Sequence, residues 1–118
     1  MANDITLPLN SQNGLIQTQQ NEVTVLSVEQ LNLRIKQLLE GQMISIWLRG
    51  EISNFKAHSS GHFYFSLKDA KSQISAVMFR GFNSKVKFKV QDGLEVLVKG
   101  RISVYEPRGS YQILCEHM

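Results

Sequence analysis

Residues 44–69 read ISIWLRGEISNFKAHSSGHFYFSLKD, two runs of alternating apolar and polar residues joined by a small polar turn. In the first run Ile44, Ile46, Leu48 and Ile52 share one face, with Gly50 among them. In the second, Phe63, Phe65 and Leu67 oppose His62, Tyr64, Ser66 and Lys68. A period of two is the mark of a strand with one buried face. A glycine inside such a strand marks a bulge or a sharp bend. One residue breaks the economy of the pattern: Tyr64 stands between two phenylalanines, on the face assigned to water. An aromatic ring there covers an edge, packs on a partner, or meets a ligand with a flat face.

The same alternation continues outward. QISAVMFR (73–80) sets Ile74, Ala76 and Met78 against Ser75, Val77 and Phe79. LEVLVKGRISVYE (94–106) runs Leu94, Val96, Val98, Gly100, Ile102 and Val104 along one side, and SYQILCEHM (110–118) closes the series. Turn signals fall at Ser59-Ser60-Gly61, Asp69 to Ser72, Asp92-Gly93 and Glu106-Pro107-Arg108-Gly109, the last with proline and glycine where a type I turn prefers them. Between the third and fourth strands lies GFNSKVKFKVQ (81–91), readable as a short helix or an irregular connection. Five strands, two of them long with a central glycine that lets one strand serve two sides of a closed sheet, predict an all-β chain: a five-stranded OB-fold barrel over residues 44–117. An SH3-like barrel, the main competitor, has shorter strands and leaves no room for an element at 81–90.

Upstream, SVEQLNLRIKQLLEGQ (27–42) predicts an N-terminal amphipathic helix over residues 28–40. Ser27 and Gln30 fit a capping box, Leu31, Ile35, Leu38 and Leu39 recur on one face, and Gly41 suits the left-handed residue after the last turn. The apolar stripe is expected to pack on the sheet or a barrel end. Residues 1–22, rich in Asn, Gln, Thr and Ser, are expected to form a flexible polar tail, leaving 23–118 as one domain. No run of eighteen apolar residues predicts a membrane span. No secretory signal is visible, and a single cysteine, Cys115, fits a reducing compartment, so a cytoplasmic protein is expected. All thirteen Lys and Arg lie in 23–118 against eight Asp and Glu there, an excess of five positive charges. That excess is compatible with a polyanionic partner, or with a soluble surface that happens to be basic.

Candidate catalytic groups are absent from the pattern. The carboxylates are scattered, Asp69 and Asp92 sit at turns, and neither a nucleophile motif nor a phosphate-cradling loop appears. His58, His62, Cys115 and His117 lack the spacing of a zinc site, so neither a metal nor a cofactor is expected. Cys115 reads as a small buried apolar residue. Nucleic-acid binding fits better. On an OB barrel the outer faces of the second and third strands take single strands, whose bases stack on aromatic rings while cations follow the phosphates. Tyr64 projects onto that surface. Phe79 and Trp47 share its phase, though a bulge at Gly50 would shift it, and Trp47 is read as leaning toward the helix. Basic candidates are Arg49, Lys56, Lys68, Lys71, Arg80, Lys99, Arg101 and Arg108. Lys85, Lys87 and Lys89 alternate with Val86 and Phe88 and read as a solvated face over a packed one.

WLRGEISNFKAHSSGHFYFSLKD (47–69), AVMFRG (76–81) and VYEPRGSYQILCE (104–116) closely resemble the N-terminal OB domain of the bacterial exodeoxyribonuclease VII large subunit, and LSVEQLNLRIKQLLE (26–40) resembles that family's leading helix. The ordered combination G-E-I-S-N-F, S-G-H-x-Y-F-x-L-K-D and Y-E-P-R-G-x-Y-Q is highly specific. The resemblance implies binding of single-stranded DNA and its presentation to a nuclease region, in an enzyme that assembles with small subunits and has no strict metal requirement. By that analogy Asn54, Phe55, His62, Tyr64, Lys68, Arg80 and Arg108 occupy motif positions; Ser110 departs from the aspartate often found there. Because the catalytic region would begin where this chain stops, the expectation is a binding domain inactive alone. Homo-oligomers are possible through an exposed tail or edge strand. The alternatives are a protein-interaction module that docks on its own catalytic domain or a partner subunit, and an RNA-binding OB domain.

Overall fold

The computed structural model describes residues 23–118; the predicted tail over 1–22 lies outside the described residues. Helix α1, Val28–Gln42, begins with the predicted capping box: the Gln30 N–H donates to Ser27 Oγ at 3.1 Å, and the Ser27 N–H donates to Gln30 Oε1 at 2.9 Å. Gly41 does not end it. The helix runs one residue further and is capped at Met43, whose N–H donates to the Leu39 carbonyl.

Five strands follow: β1, Ile46–Ala57; β2, Phe63–Lys68; β3, Gln73–Met78; β4, Glu95–Tyr105; β5, Ser110–His117. A four-residue helix α2, Arg80–Asn83, fills the expected gap between β3 and β4. The strands close into a barrel in the order β1-β2-β3-β5-β4, antiparallel except for the β3–β5 pair. β1 starts two residues later than expected, leaving Ile44 exposed, and runs on to Ala57. Gly50 does not bulge. It points inward between Leu48 and Ile52, and the phase holds as far as Ser53. The irregularity lies further on, where the β1–β2 register skips between Ser53 and Lys56, so that Asn54 and Phe55 together oppose Phe65. Asn54 takes φ 53°, a left-handed conformation that asparagine tolerates better than most residues.

Inside the barrel Ile52, Phe65, Leu67, Met78, Val98 and Ile113 are buried with their neighbours, as the alternation predicted. Gly100 faces the same interior where the β4–β5 register shifts; a Cβ there would lie 2.3 Å from the Leu114 carbonyl oxygen.

The helix docks differently from expectation. β1 pairs with β4 only as far as Ile46 opposite Gly100, so the β4 edge beyond is bare of strand. An unpaired edge must be satisfied or covered. Here α1 covers it with polar groups. The Ile102 N–H donates to the Met43 carbonyl at 3.0 Å, and the Val104 N–H to Glu40 Oε2 at 2.9 Å. Lys36 Nζ reaches the Val104 carbonyl at 3.2 Å, and Asn32 Nδ2 the Glu106 carbonyl at 2.9 Å. Asn32, Lys36 and Glu40 stand four apart and share one helix face. Leu39 reaches the core and Ile35, partly exposed, lines a small cavity with it against Val104 and Tyr111, but the rest of the predicted stripe, Leu31 and Leu38, is exposed, Leu38 by 64 %.

Candidate nucleic-acid interface

On the outer faces of β1, β2 and β3 the register sets side chains in rows that cross the strands. One row is Lys56, Tyr64 and Val77; the next is Ser53, Ser66 and Ser75; the third is Glu51, Lys68 and Gln73. Successive rows on one face are about 7 Å apart. Three serines, the smallest polar side chains able to stand there, thus floor a trough between a row headed by Tyr64 and one headed by Lys68. The bulge at Asn54 makes this possible. Without its extra residue, Lys56 would share the inward phase of Ile52; with it, Phe55 turns in and Lys56 stands opposite Tyr64 on the outer face. Tyr64 is 41 % exposed, and the His58 ring braces it edge-on at 5.9 Å. Val77 follows the outer phase yet is buried, apart from the barrel core.

The turn before β2 and the start of α2 form a built corner at the Tyr64 end. His62 Nδ1 accepts the Arg80 N–H at 3.0 Å, which places the proton of a neutral imidazole on Nε2, and the Phe79 ring stands edge-on to it at 5.0 Å. Gly61 takes φ 90°, a conformation that favours glycine, and the Arg80 side chain lies over it, 2.7 Å from where a Cβ would sit. Asn83, nearly buried, donates to the Gly61 carbonyl at 2.8 Å and to the Met78 carbonyl at 3.0 Å. Phe79, 39 % exposed, and Arg80 are therefore held at the rim beside Tyr64 by hydrogen bonds to backbone. His62 acts as their support within this corner. Asn83 gave no distinguishing signal in the sequence; only the fold shows that it ties the turn to the helix.

The remaining candidates lie at the other end of the trough or beyond it. Lys68 stands 4.0 Å from Glu51, and a shallow concavity joins them to Arg49, Asp69 and Glu95. The Lys71 and Ser72 N–H groups hold the Asp69 carboxyl below the ordinary range, so it stays anionic at that end of the trough. Arg108 caps the β4–β5 hairpin. Ser75 pairs with Gln112 and Val77 with Leu114, so this hairpin lies at the end of the sheet away from Tyr64. Trp47 does not pack against α1: it is exposed on the β1–β4 face, with Lys99 Nζ 5.9 Å from its ring centre. Cys115 is buried and desolvation pushes its thiol up to about 12, which makes it a poor nucleophile.

Charge divides sharply along the chain, a division that the net excess of five conceals. Residues 52–91, from the second half of β1 to the approach to β4, hold seven Lys and Arg and one acid, Asp69. The rest of the described chain is nearly balanced. Rings, short polar groups and cations gathered on one face can grip a flexible polyanion by stacking and charge.

Comparison with known proteins agrees. The profile of the OB-fold nucleic acid binding domain matches residues 26–118. The exodeoxyribonuclease 7 large subunit of Shewanella frigidimarina (strain NCIMB 400) is 60 % identical over 94 residues, which are 80 % of this chain and 21 % of that protein. That of Shewanella sp. (strain ANA-3) is 57 % identical over the same shares. The resemblance read from the motifs thus holds, with the chain spanning about a fifth of the length of these relatives. Among solved structures, a replication protein A heterotrimer bound to ssDNA matches with TM-score 0.51 at 16 % identity, over 64 % of this chain and 56 % of that one. Asparaginyl-tRNA synthetase from Pyrococcus horikoshii matches with TM-score 0.53 at 16 % identity, over 71 % and 20 %. At such identities the likeness is one of fold. With a closed barrel, a profile match across nearly all of its described length and close relatives over the same span, the chain belongs to the family of OB-fold nucleic acid binding domains.

Proposed function

We propose that this domain binds single-stranded DNA across the outer faces of β2 and β3 and, in a longer chain like its relatives, presents the strand to a nuclease region. One observation carries the reading: Tyr64, with Lys56 opposite it and Phe79 and Arg80 fixed beside it, stands over a serine-floored trough in the part of the chain where cations outnumber acids seven to one. Bases stack on Tyr64 and Phe79; Lys56, Arg80 and Lys68 follow the phosphates, with Arg49, Asn54 and Arg108 further out. Recognition is by shape and charge, so base sequence matters little. The preference for DNA over RNA rests on the likeness to exodeoxyribonuclease 7 large subunits, as does assembly with small subunits; a cytoplasmic setting rests on the single cysteine. Among the described residues no helix is long and apolar enough to cross a membrane.

A second reading, a protein-docking role, is favoured by one feature, the exposed Leu31 and Leu38 on α1, which lie on an element separate from the trough. Competition in fluorescence anisotropy separates the readings. Labelled oligo-dT should be displaced by unlabelled single-stranded DNA and poorly by duplex. Equal indifference to DNA, RNA and duplex would leave only the docking role, and preferential displacement by RNA would make this an RNA-binding domain.

A further inference from the structure

A single strand lying across Tyr64 has two ways to leave the trough. Toward β2's end it meets mixed charge: Lys68 is 4.0 Å from Glu51, Asp69 and Glu95 line the concavity beyond, and Arg108 follows Glu106. Toward α2 it meets no acid until Asp92, and that carboxylate is engaged, accepting the Phe55 N–H at 2.8 Å. The segment between, residues 79–91, leaves the rim at Phe79, crosses the barrel with Val86 packed against the core and Val90 buried, and returns to β1 beside Lys56. Its outward residues are Arg80, Lys85, Lys87 and Lys89, all exposed and none with an ion-pair partner among the described residues. Phe82, one turn after Phe79, is 39 % exposed, an aromatic left in solvent amid cations. Lys85 lies in the turn that ends α2, and Lys87 and Lys89 flank a bend at Phe88, whose ring is 42 % exposed and not packed beneath the lysines as the alternation predicted. For solubility alone, such lysines need neither a ring nor freedom from acids.

We propose that single-stranded nucleic acid leaves the trough over this end of the barrel, following Phe82, Lys85, Lys87 and Lys89, so that the binding site is longer than the β2–β3 face. The inference rests on the proposed binding at Tyr64, and the test keeps the two apart. Anisotropy titrations over a range of salt use labelled oligo-dT of about six nucleotides, enough for the face alone, and about twenty, enough for face and exit. The variant is Lys85→Gln/Lys87→Gln/Lys89→Gln, whose exposed positions leave the core untouched; its thermal melt is the control for folding. Each phosphate contact on a single strand contributes about 0.7 to the slope of log affinity against log salt. For the long oligonucleotide the triple variant should therefore flatten that slope by about 2, with the short one unchanged. An unchanged slope on the long oligonucleotide overturns the exit path, as does equal weakening of both lengths, which would mean diffuse charge. If the short oligonucleotide still loses affinity on Tyr64→Ala, the reading of the face survives that failure. If wild-type protein binds neither length, both fall.

Discussion

Tyr64 is where the local pattern and the function part company, since a strand needs no ring on its wet face. Between its cross-strand neighbours Lys56 and Val77 the side chain is 41 % exposed, and the His58 ring stands nearly perpendicular to it at 5.9 Å. Replacing Tyr64 with alanine should weaken oligo-dT binding by about 1–3 kcal/mol, and Tyr64→Phe should keep most of the affinity, because stacking needs the ring and not the hydroxyl. Anisotropy titrations of the two variants check this; equal losses would point to the hydroxyl instead. Gly100 carries the opposite constraint. With the Leu114 carbonyl 2.3 Å from where a Cβ would sit, Gly100→Ala must push two strands apart and should destabilise the fold by about 1–3 kcal/mol, read as a lower urea midpoint. At this scale the sequence was legible wherever period two held: Phe65 in, Tyr64 out, Phe63 turned toward the core. It failed at Asn54. A bulge is one extra residue, and an alternating pattern cannot say which residue is extra; Gly50 looked the better candidate, but its missing side chain answers to the nearby Leu67 Cβ and Lys68 backbone across the strand pair.

For α1, the capping box was readable because both its partners lie within one turn. Its docking face was not, because hydrophobic periodicity assumes an apolar contact and this helix satisfies a bare strand edge with Asn32, Lys36 and Glu40. The contact has a pH signature. The Lys36 ammonium and the Val104 N–H hold the Glu40 carboxyl below its ordinary range. A folded value below the unfolded one means the stabilisation is complete above the unfolded value of about 4.3 and is lost as pH falls through the folded value. The protection factor of the Val104 amide, its exchange rate relative to that of an unstructured peptide at the same pH, should therefore fall below about pH 4 while amides of the barrel interior, such as Val98, stay protected. Glu40→Gln should remove that pH dependence. Parallel loss of protection at both amides would show that α1 and the barrel unfold together and the Glu40 contact is not the weak point.

Taken whole, the molecule is a closed sheet whose excess of positive charge lies in residues 52–91. Five strands, two of them long and glycine-bearing, were enough to infer closure, but the parallel β3–β5 pair that completes it joins residues far apart in the chain and leaves no local trace. The placement of the cations needed the fold as well: β1, β2 and the start of α2 bring Lys56 opposite Tyr64 and Arg80 to the neighbouring corner, which their spacing in the chain does not show. If about three to five phosphates are contacted, log affinity for oligo-dT should fall with log salt at a slope of about −2 to −3.5. Location is tested most directly by recording amide chemical shifts of the isotope-labelled domain as oligo-dT is added. The largest changes should fall on Asn54 to Ala57, Tyr64 to Lys68 and Ser75 to Arg80, with α1 and the β1–β4 face around Trp47 and Lys99 still. Changes centred on α1 or around Trp47, with the Tyr64 row unmoved, would contradict the assignment of the trough.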